Sequence, residues 1–273
     1  MQRPHGGGRT ILFVVLAILA VAITLALTHE TVGYGVDSSA YFGVAHNLVT
    51  GRGPTVPMTF YTDHYPPARA FAFHGAVPST HFPPLYPMML AGFEAFGLSA
   101  AAAARWSSTI VHTLNLVLVG LVLSRVLVRA RWIGAFAAAA ILLTIDAWLV
   151  THTFAMSEAL FITTVLAFLL ATSRHLATGS RGALVLAASC AAAAVLTRWV
   201  GVSVGVAGAG LILAHRGWVW RMRVARAAVI AGAAATSGLG WALYGRIAGG
   251  SSPRLFAYHP PQRFIGPLFD VLG

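Results

Sequence analysis

Four charged residues stand where a largely apolar chain has reason to avoid charge: Asp37, Asp146, Glu158 and Arg198. Asp37 follows the first apolar run beside hydrophobic surface, and desolvation there raises the basicity of a carboxylate, as a proton acceptor requires. The same position suits a helix N-cap, for which Asp is a preferred residue. A cap also fixes where the carboxylate points, so the two roles are compatible. Glu158 begins an apolar helix and complements the positive end of its dipole. Ionisable groups within spans are functional candidates, which holds for Glu158 and for Asp146, although Asp146 also fits a side chain snorkelling to the interface. Arg198 interrupts an apolar pair of helices, where a guanidinium can hold a phosphate in bidentate fashion or anchor the interface beside Trp199. Arg246, Arg254 and Arg263 are further, individually weak, candidates for phosphate contact.

His46, His64, His74 and His81 share a long loop with Asp37 and Asp63. None has the close spacing that marks a metal site, so no residue is assigned as a metal ligand and a divalent metal is left open. His112 and Asn115 are three apart on one helix face and are expected to make interhelical hydrogen bonds. Gly201 and Gly205 indicate close helix packing. The lone Cys190 excludes an internal disulfide, and no phosphate-cradling P-loop or dinucleotide-binding glycine pattern is present.

These residues need a scaffold, and composition says which solvent it lives in. Of 273 residues, 58% are hydrophobic and only 9% charged, against about 25% charged in soluble domains. A bilayer is the natural surrounding. The net charge of +11 is carried entirely by arginine, and basic excess in such a chain reflects cytoplasmic loops rather than nucleic-acid binding. Seven apolar segments are candidate spans: 11–27, 107–127, 132–150, 157–172, 182–197, 199–214 and 227–248. The run 11–27 is long for a signal peptide and lacks a clear cleavage site, so it reads as an uncleaved first helix. Seven spans with the N-terminus inside place Arg125, Arg174, Arg181, Arg216, Arg221 and their neighbours in the cytoplasm. All seven acidic residues then fall outside or near the outer boundary, which points to chemistry on that face.

The loop 28–105 is too long to be a simple connection. Residues 37–50 read as an amphipathic surface helix with Tyr41, Val44, Ala45 and Leu48 on one face and Gly51 closing it. His81–Pro87 is expected to be extended through its prolines, leading into a second apolar helix over 88–96. The fold class is therefore all-α: a polytopic transmembrane helical bundle of about seven spans, with amphipathic helices in a large first outer loop. It reads as a single membrane domain over 1–273.

Four stretches, Gly35-Val-Asp-Ser-Ser-Ala-Tyr41 with Asn47-Leu-Val-Thr-Gly51, Phe82-Pro-Pro-Leu-Tyr-Pro87, Met156-Ser-Glu-Ala-Leu-Phe161 and Leu196-Thr-Arg-Trp199, occur in an order and topological placement that resembles the N-terminal portion of the GT-C superfamily of membrane glycosyltransferases. That superfamily includes protein O-mannosyltransferases, lipid A aminoarabinose transferases and Rgt-type transferases. The resemblance implies transfer of a sugar from a polyprenyl-phosphate donor to an acceptor hydroxyl of a glycan, lipid or protein on the extracytoplasmic face of the cell membrane. It implies catalytic roles for Asp37 and Glu158 and substrate contacts from Tyr41, His81, Tyr86, Asp146 and Arg198, with no cofactor firmly implied. Family members usually continue well past 400 residues and often carry a C-terminal soluble domain, and such a domain is expected to be absent from 1–273. Two other readings remain: a transporter or flippase for a lipid-linked or anionic solute, and a truncated non-catalytic membrane subunit.

Overall fold

The computed structural model describes residues 6–56, 77–127 and 131–248. Helix α1 (Gly6–Leu27) leads into a loop containing α2 (Ser38–Val49), a two-residue hairpin of β1 (Thr55–Val56) and β2 (Val77–Pro78), and α3 (Leu85–Ala95). The bundle continues with α4 (Ala100–Val126), α5 (Arg131–Leu142), α6 (Asp146–Thr153), α7 (Glu158–Thr178), α8 (Arg181–Thr197), a 3-10 turn (Trp199–Gly201), α9 (Val202–Ala214) and α10 (Trp220–Ile247). The apolar segments expected to span the membrane are mostly helical in their described residues, with one interruption inside 132–150.

Four helices, Thr10–Leu27, α4, α7 and α10, are long and apolar enough to cross a bilayer. The segment expected as one span over 132–150 is instead a broken pair, α5 and α6, bent by 72°. Thr144 and Ile145 explain the break. The Thr144 hydroxyl donates to Ile141 O at 2.8 Å, Ile145 turns extended (φ −97, ψ 114), and Asp146 starts a new helix, where an acidic residue offsets the helix dipole. The last apolar pair does divide at Arg198: α8 and the turn with α9 are separate short helices. At Gly201 a Cβ would lie 2.2 Å from the Ala194 backbone, so only glycine lets this turn fold onto the end of α8. At Gly205 a Cβ would lie 2.6 Å from the Ala234 Cβ of α10.

Three packed groups make up the interior. Leu16, Ala20, Leu116 and Ala139 join α1, α4 and α5. Phe168, Ala187, Ala191, Val195, Ile212 and Ile230 join α7 to α10. Above them, Tyr41, Val44, Phe82, Tyr86, Leu90 and Ala104 pack the first loop onto the bundle. Ile11, Ile18, Val185, Leu239 and Ile247 are exposed on the helix flanks, the arrangement lipid tails favour because apolar side chains meet an apolar solvent there.

Polar residues bind α1, α4, α6 and α7 inside the bundle, as expected for His112 and Asn115. Trp148 Nε1 donates to His112 Nε2 at 2.9 Å, which puts the His112 proton on Nδ1, facing Thr24 Oγ1 at 2.7 Å. Thr24 in turn donates to Ala20 O. Asn115 Nδ2 donates to His152 Nε2 (2.9 Å) and Ala159 O (2.8 Å), while Thr163 donates to Asn115 Oδ1. Each of these side chains, Thr24, His112, Asn115, Trp148 and Thr163, finds a partner, as a low-dielectric interior demands.

The first loop departs from expectation in two ways. The apolar face of α2 packs against α3 within the protein, burying Tyr41, Val44 and Ala45. Helix α3 starts at Leu85, three residues earlier than expected, with Pro87 inside its first turn. A proline is tolerated there because first-turn N–H groups have no intrahelical partner. Gly51 does close α2, at φ +77.

Candidate active site

Two segments far apart in sequence meet at the loop end of the bundle. Gly33 N donates to Thr153 O at 2.9 Å, Ala155 N donates to Gly33 O at 2.8 Å, and Gly33 and Phe154 form a parallel bridge. A side chain at Gly33 is excluded, since its Cβ would lie 2.5 Å from the Phe154 ring. Ser38 tightens the junction by accepting from Gly35 N (2.9 Å) and donating to Ala155 O (2.8 Å). This strap sets the start of α2, with Asp37, beside the start of α7, with Ser157 and Glu158.

Neither residue at the N-cap positions of these helices makes a side-chain capping hydrogen bond. Asp37 precedes α2 with φ −77 and ψ −19 and makes no side-chain capping hydrogen bond. Capping therefore does not account for this carboxylate. Ser157, 1% exposed, likewise makes no cap. Its Oγ lies 3.1 Å from Tyr41 Oη and accepts from Arg198 Nη1 at 3.2 Å. Arg198 Nη1 also forms an ion pair with Glu158 Oε1. The network thus runs Tyr41, Ser157, Arg198, Glu158 across three elements.

Tyr41 is 3% exposed and reports the charges around it. Burial is the main cause that pushes its phenol up to about 12; the Ser157 hydrogen bond opposes this, Asp37 and Glu158 add to it, and Arg198 opposes it. Tyr41 is one helical turn after Asp37, so both occupy one face of α2. Tyr86 packs edge-on against Tyr41 with centroids 5.0 Å apart, and Phe82 is at 5.1 Å. Burial, then Tyr41, raises the Tyr86 phenol as well.

Two indoles tie the first loop to the turn at Arg198 and to α10. Trp199 Nε1 donates to His81 O at 3.1 Å, and Trp241 Nε1 donates to Phe82 O at 3.2 Å. His81 is half-buried with its ring against Phe82. Thus Tyr41, His81, Tyr86, Glu158 and Arg198 come together around the strap that holds Asp37. Asp146 does not join them: it is exposed at the start of α6, an eight-residue helix before the strap. Ser157 and Trp199 belong to the cluster although the sequence, which places both in motif stretches, assigned neither a site role. Ser157 preceding Glu158 at a helix start was the available signal.

Chemically, the cluster offers a carboxylate and a cation side by side, each about one-third exposed. Arg198 engages described residues only through Nη1, and Glu158 Oε2 is buried without a hydrogen-bond partner among them. A guanidinium has five N–H donors, so most of its fork is uncommitted to this network. Among the described residues, no group of three or more His, Cys, Asp or Glu side chains is placed to hold a metal ion. His64, His74, Asp63, Arg254 and Arg263 lie outside the described residues.

No protein-family model matches the chain, and no curated protein is significantly similar to it. Among solved structures, the crystal structure of ArnT from Cupriavidus metallidurans bound to undecaprenyl phosphate superposes with a TM-score of 0.54 at 20% identity. The match covers 97% of this chain and 45% of that one, so the chain spans less than half the length of its structural neighbour. At that likeness the chain shares the fold of the matched part of ArnT, a polytopic membrane helical bundle.

Proposed function

We propose that this chain carries the donor-side half of a membrane glycosyltransferase site that moves a sugar from a polyprenyl-phosphate donor to an acceptor hydroxyl on the extracytoplasmic face. The observation that supports it most is the Arg198–Glu158–Ser157–Tyr41 network assembled beside Asp37. In the reaction, the acceptor oxygen attacks the anomeric carbon and forms the new C–O bond as the bond to the phosphate oxygen breaks. The bonding pair leaves on the phosphate. Asp37 takes the acceptor proton, and the uncommitted edge of Arg198 meets the charge gathering on the departing phosphate.

Glu158 has two tasks in this scheme. Through Oε1 it fixes the guanidinium, and its second oxygen is an acceptor for a sugar or acceptor hydroxyl, which relieves an otherwise unsatisfied buried atom. Tyr41 and Tyr86 form an aromatic wall behind the carboxylate. The bound lipid of the ArnT structure, undecaprenyl phosphate, is of the class proposed as donor carrier. A transporter would use its broken span as an ion site. In this chain the polar groups beside the α5–α6 break are spent on one another.

The test is transfer of labelled sugar from polyprenyl-phosphate donors in membranes containing the full-length protein, against membranes without it. The proposal predicts label in an acceptor fraction and its loss in Arg198→Gln. Equal labelling with and without the protein, across donors of several sugars, would overturn it.

A further inference from the structure

The end of the bundle opposite this site carries a second set of cations, without carboxylate partners among the described residues. Helix α7 runs from Glu158 to His175 over about 25 Å at 1.5 Å per residue, and there it meets the link between α9 and α10. Trp218 is the centre of the arrangement. His215 lies on it at 4.2 Å between centroids and 34° between planes, His175 at 5.0 Å, and the Arg226 guanidinium at 4.0 Å from the ring centroid. Arg223 donates to Leu213 O at 2.8 Å, covering the last turn of α9, and sits 5.1 Å over Trp220.

Four buried polar atoms here have no hydrogen-bond partner among the described residues: His175 Nε2, His215 Nδ1, Arg223 Nε and Arg226 Nη1. His175 is fully buried, and its Nδ1 lies 2.8 Å from Ser180 O. The two arginines are half-exposed, and neither has a carboxylate partner among the described residues. Guanidinium groups in this state are matched by phosphate, whose oxygens accept from the planar fork and supply the missing charge.

We propose that this cluster binds the phosphate of an anionic membrane lipid headgroup, held by Arg223 and Arg226 against Trp218. Two features select a lipid over free phosphate. Val219, Trp220 and Met222 stand exposed beside the arginines, a flank that acyl chains cover and a soluble anion does not use. Helix α10, with 28 residues, is about 42 Å long against a hydrocarbon core of about 30 Å, and its first two turns, with Arg221, Arg223 and Arg226, are the charged end suited to headgroup depth. Basic pockets between helices, with tryptophan at the interface, bind such headgroups. This inference is independent of the glycosyl-transfer reading.

The full chain in neutral detergent, with phosphatidylglycerol or phosphatidylcholine added, would be examined by native mass spectrometry for retained lipid. Retention of phosphatidylglycerol is expected to exceed that of phosphatidylcholine, and to fall about tenfold or more in Arg226→Gln or Arg223→Gln, since each removes a charged hydrogen bond. Arg221→Gln removes the same charge from an exposed position outside the cluster and is expected to retain lipid like the wild type. An equal loss in Arg221→Gln would show diffuse attraction and overturn the site. So would full retention in both Arg223→Gln and Arg226→Gln, or displacement of the lipid by equimolar inorganic phosphate. If Arg226→Gln does not fold, Arg223→Gln and the charge-retaining Arg226→Lys carry the comparison, with a loss expected in each.

Discussion

Replacing Glu158 by Gln separates the chemical use of the Glu158–Arg198 pair from its use as a brace. The side chains are 33% and 34% exposed, so solvent screens their attraction and the pair contributes only about 1 kcal/mol to folding. Arg198 also keeps its hydrogen bond to Ser157 when Glu158 is neutral. In the proposed reaction the same guanidinium faces charge that develops only as the phosphate departs, and one such contact is worth about 3–4 kcal/mol, or two to three orders of magnitude in rate. Glu158→Gln is therefore expected to lower thermal stability slightly and sugar transfer by about 100-fold. Arg198→Gln should behave alike, and the double variant should lose little more than either, because residues acting as a unit are not additive. Thermal unfolding in detergent and transfer from a polyprenyl-phosphate donor would be measured on all four proteins. A loss of transfer no greater than the loss of folded protein, or losses that simply multiply in the double variant, would refute the reasoning.

Three further outcomes follow from the geometry. Gly201→Ala places a methyl carbon 2.2 Å from the Ala194 backbone and should cost roughly 3 kcal/mol or more; an unchanged thermal midpoint would contradict the close turn. Tyr41, with its phenol raised from about 10 to about 12 in the folded chain, contributes stability that is complete below pH 10 and lost as pH rises towards 12, by about 2.7 kcal/mol in all. Tyr41→Phe should flatten part of that alkaline decline, Tyr86 retaining the remainder, and identical pH profiles would exclude the assignment. In a Cys190→Ser background, a cysteine replacing exposed Glu30 should react with an impermeant thiol reagent from outside the cell, and one replacing exposed Thr178 only after permeabilisation; the reverse pattern would invert the proposed topology.

Hydrophobic length made the spans legible, because a run of apolar residues has few alternatives to a helix in lipid. It hid the α5–α6 break: one aspartate and a threonine scarcely alter the average hydropathy of 132–150, yet they redirect the backbone by 72°. The two-residue strands were too short to give a periodic pattern, and Pro87 was read as a helix breaker when it sits in a first turn that tolerates it. Of the site, Glu158 and Arg198 stood out as charges in apolar surroundings, whereas the strap between Gly33 and Phe154 joins segments more than a hundred residues apart and leaves no local trace. Ser157 was hidden by its ordinary identity at a helix start. Its role emerges only when Tyr41 and Arg198 arrive from other elements.

Asp37 carries the central claim, as a carboxylate at a helix start that does not cap the helix and whose charge, with those of Glu158 and Arg198, acts on Tyr41. The most direct test compares sugar transfer from a polyprenyl-phosphate donor by wild-type and Asp37→Asn full-length protein at equal abundance in membranes. Asparagine preserves size and removes the proton acceptor, so transfer is expected to fall by about 100-fold or more while donor binding persists. Transfer at the wild-type rate in Asp37→Asn would contradict the account.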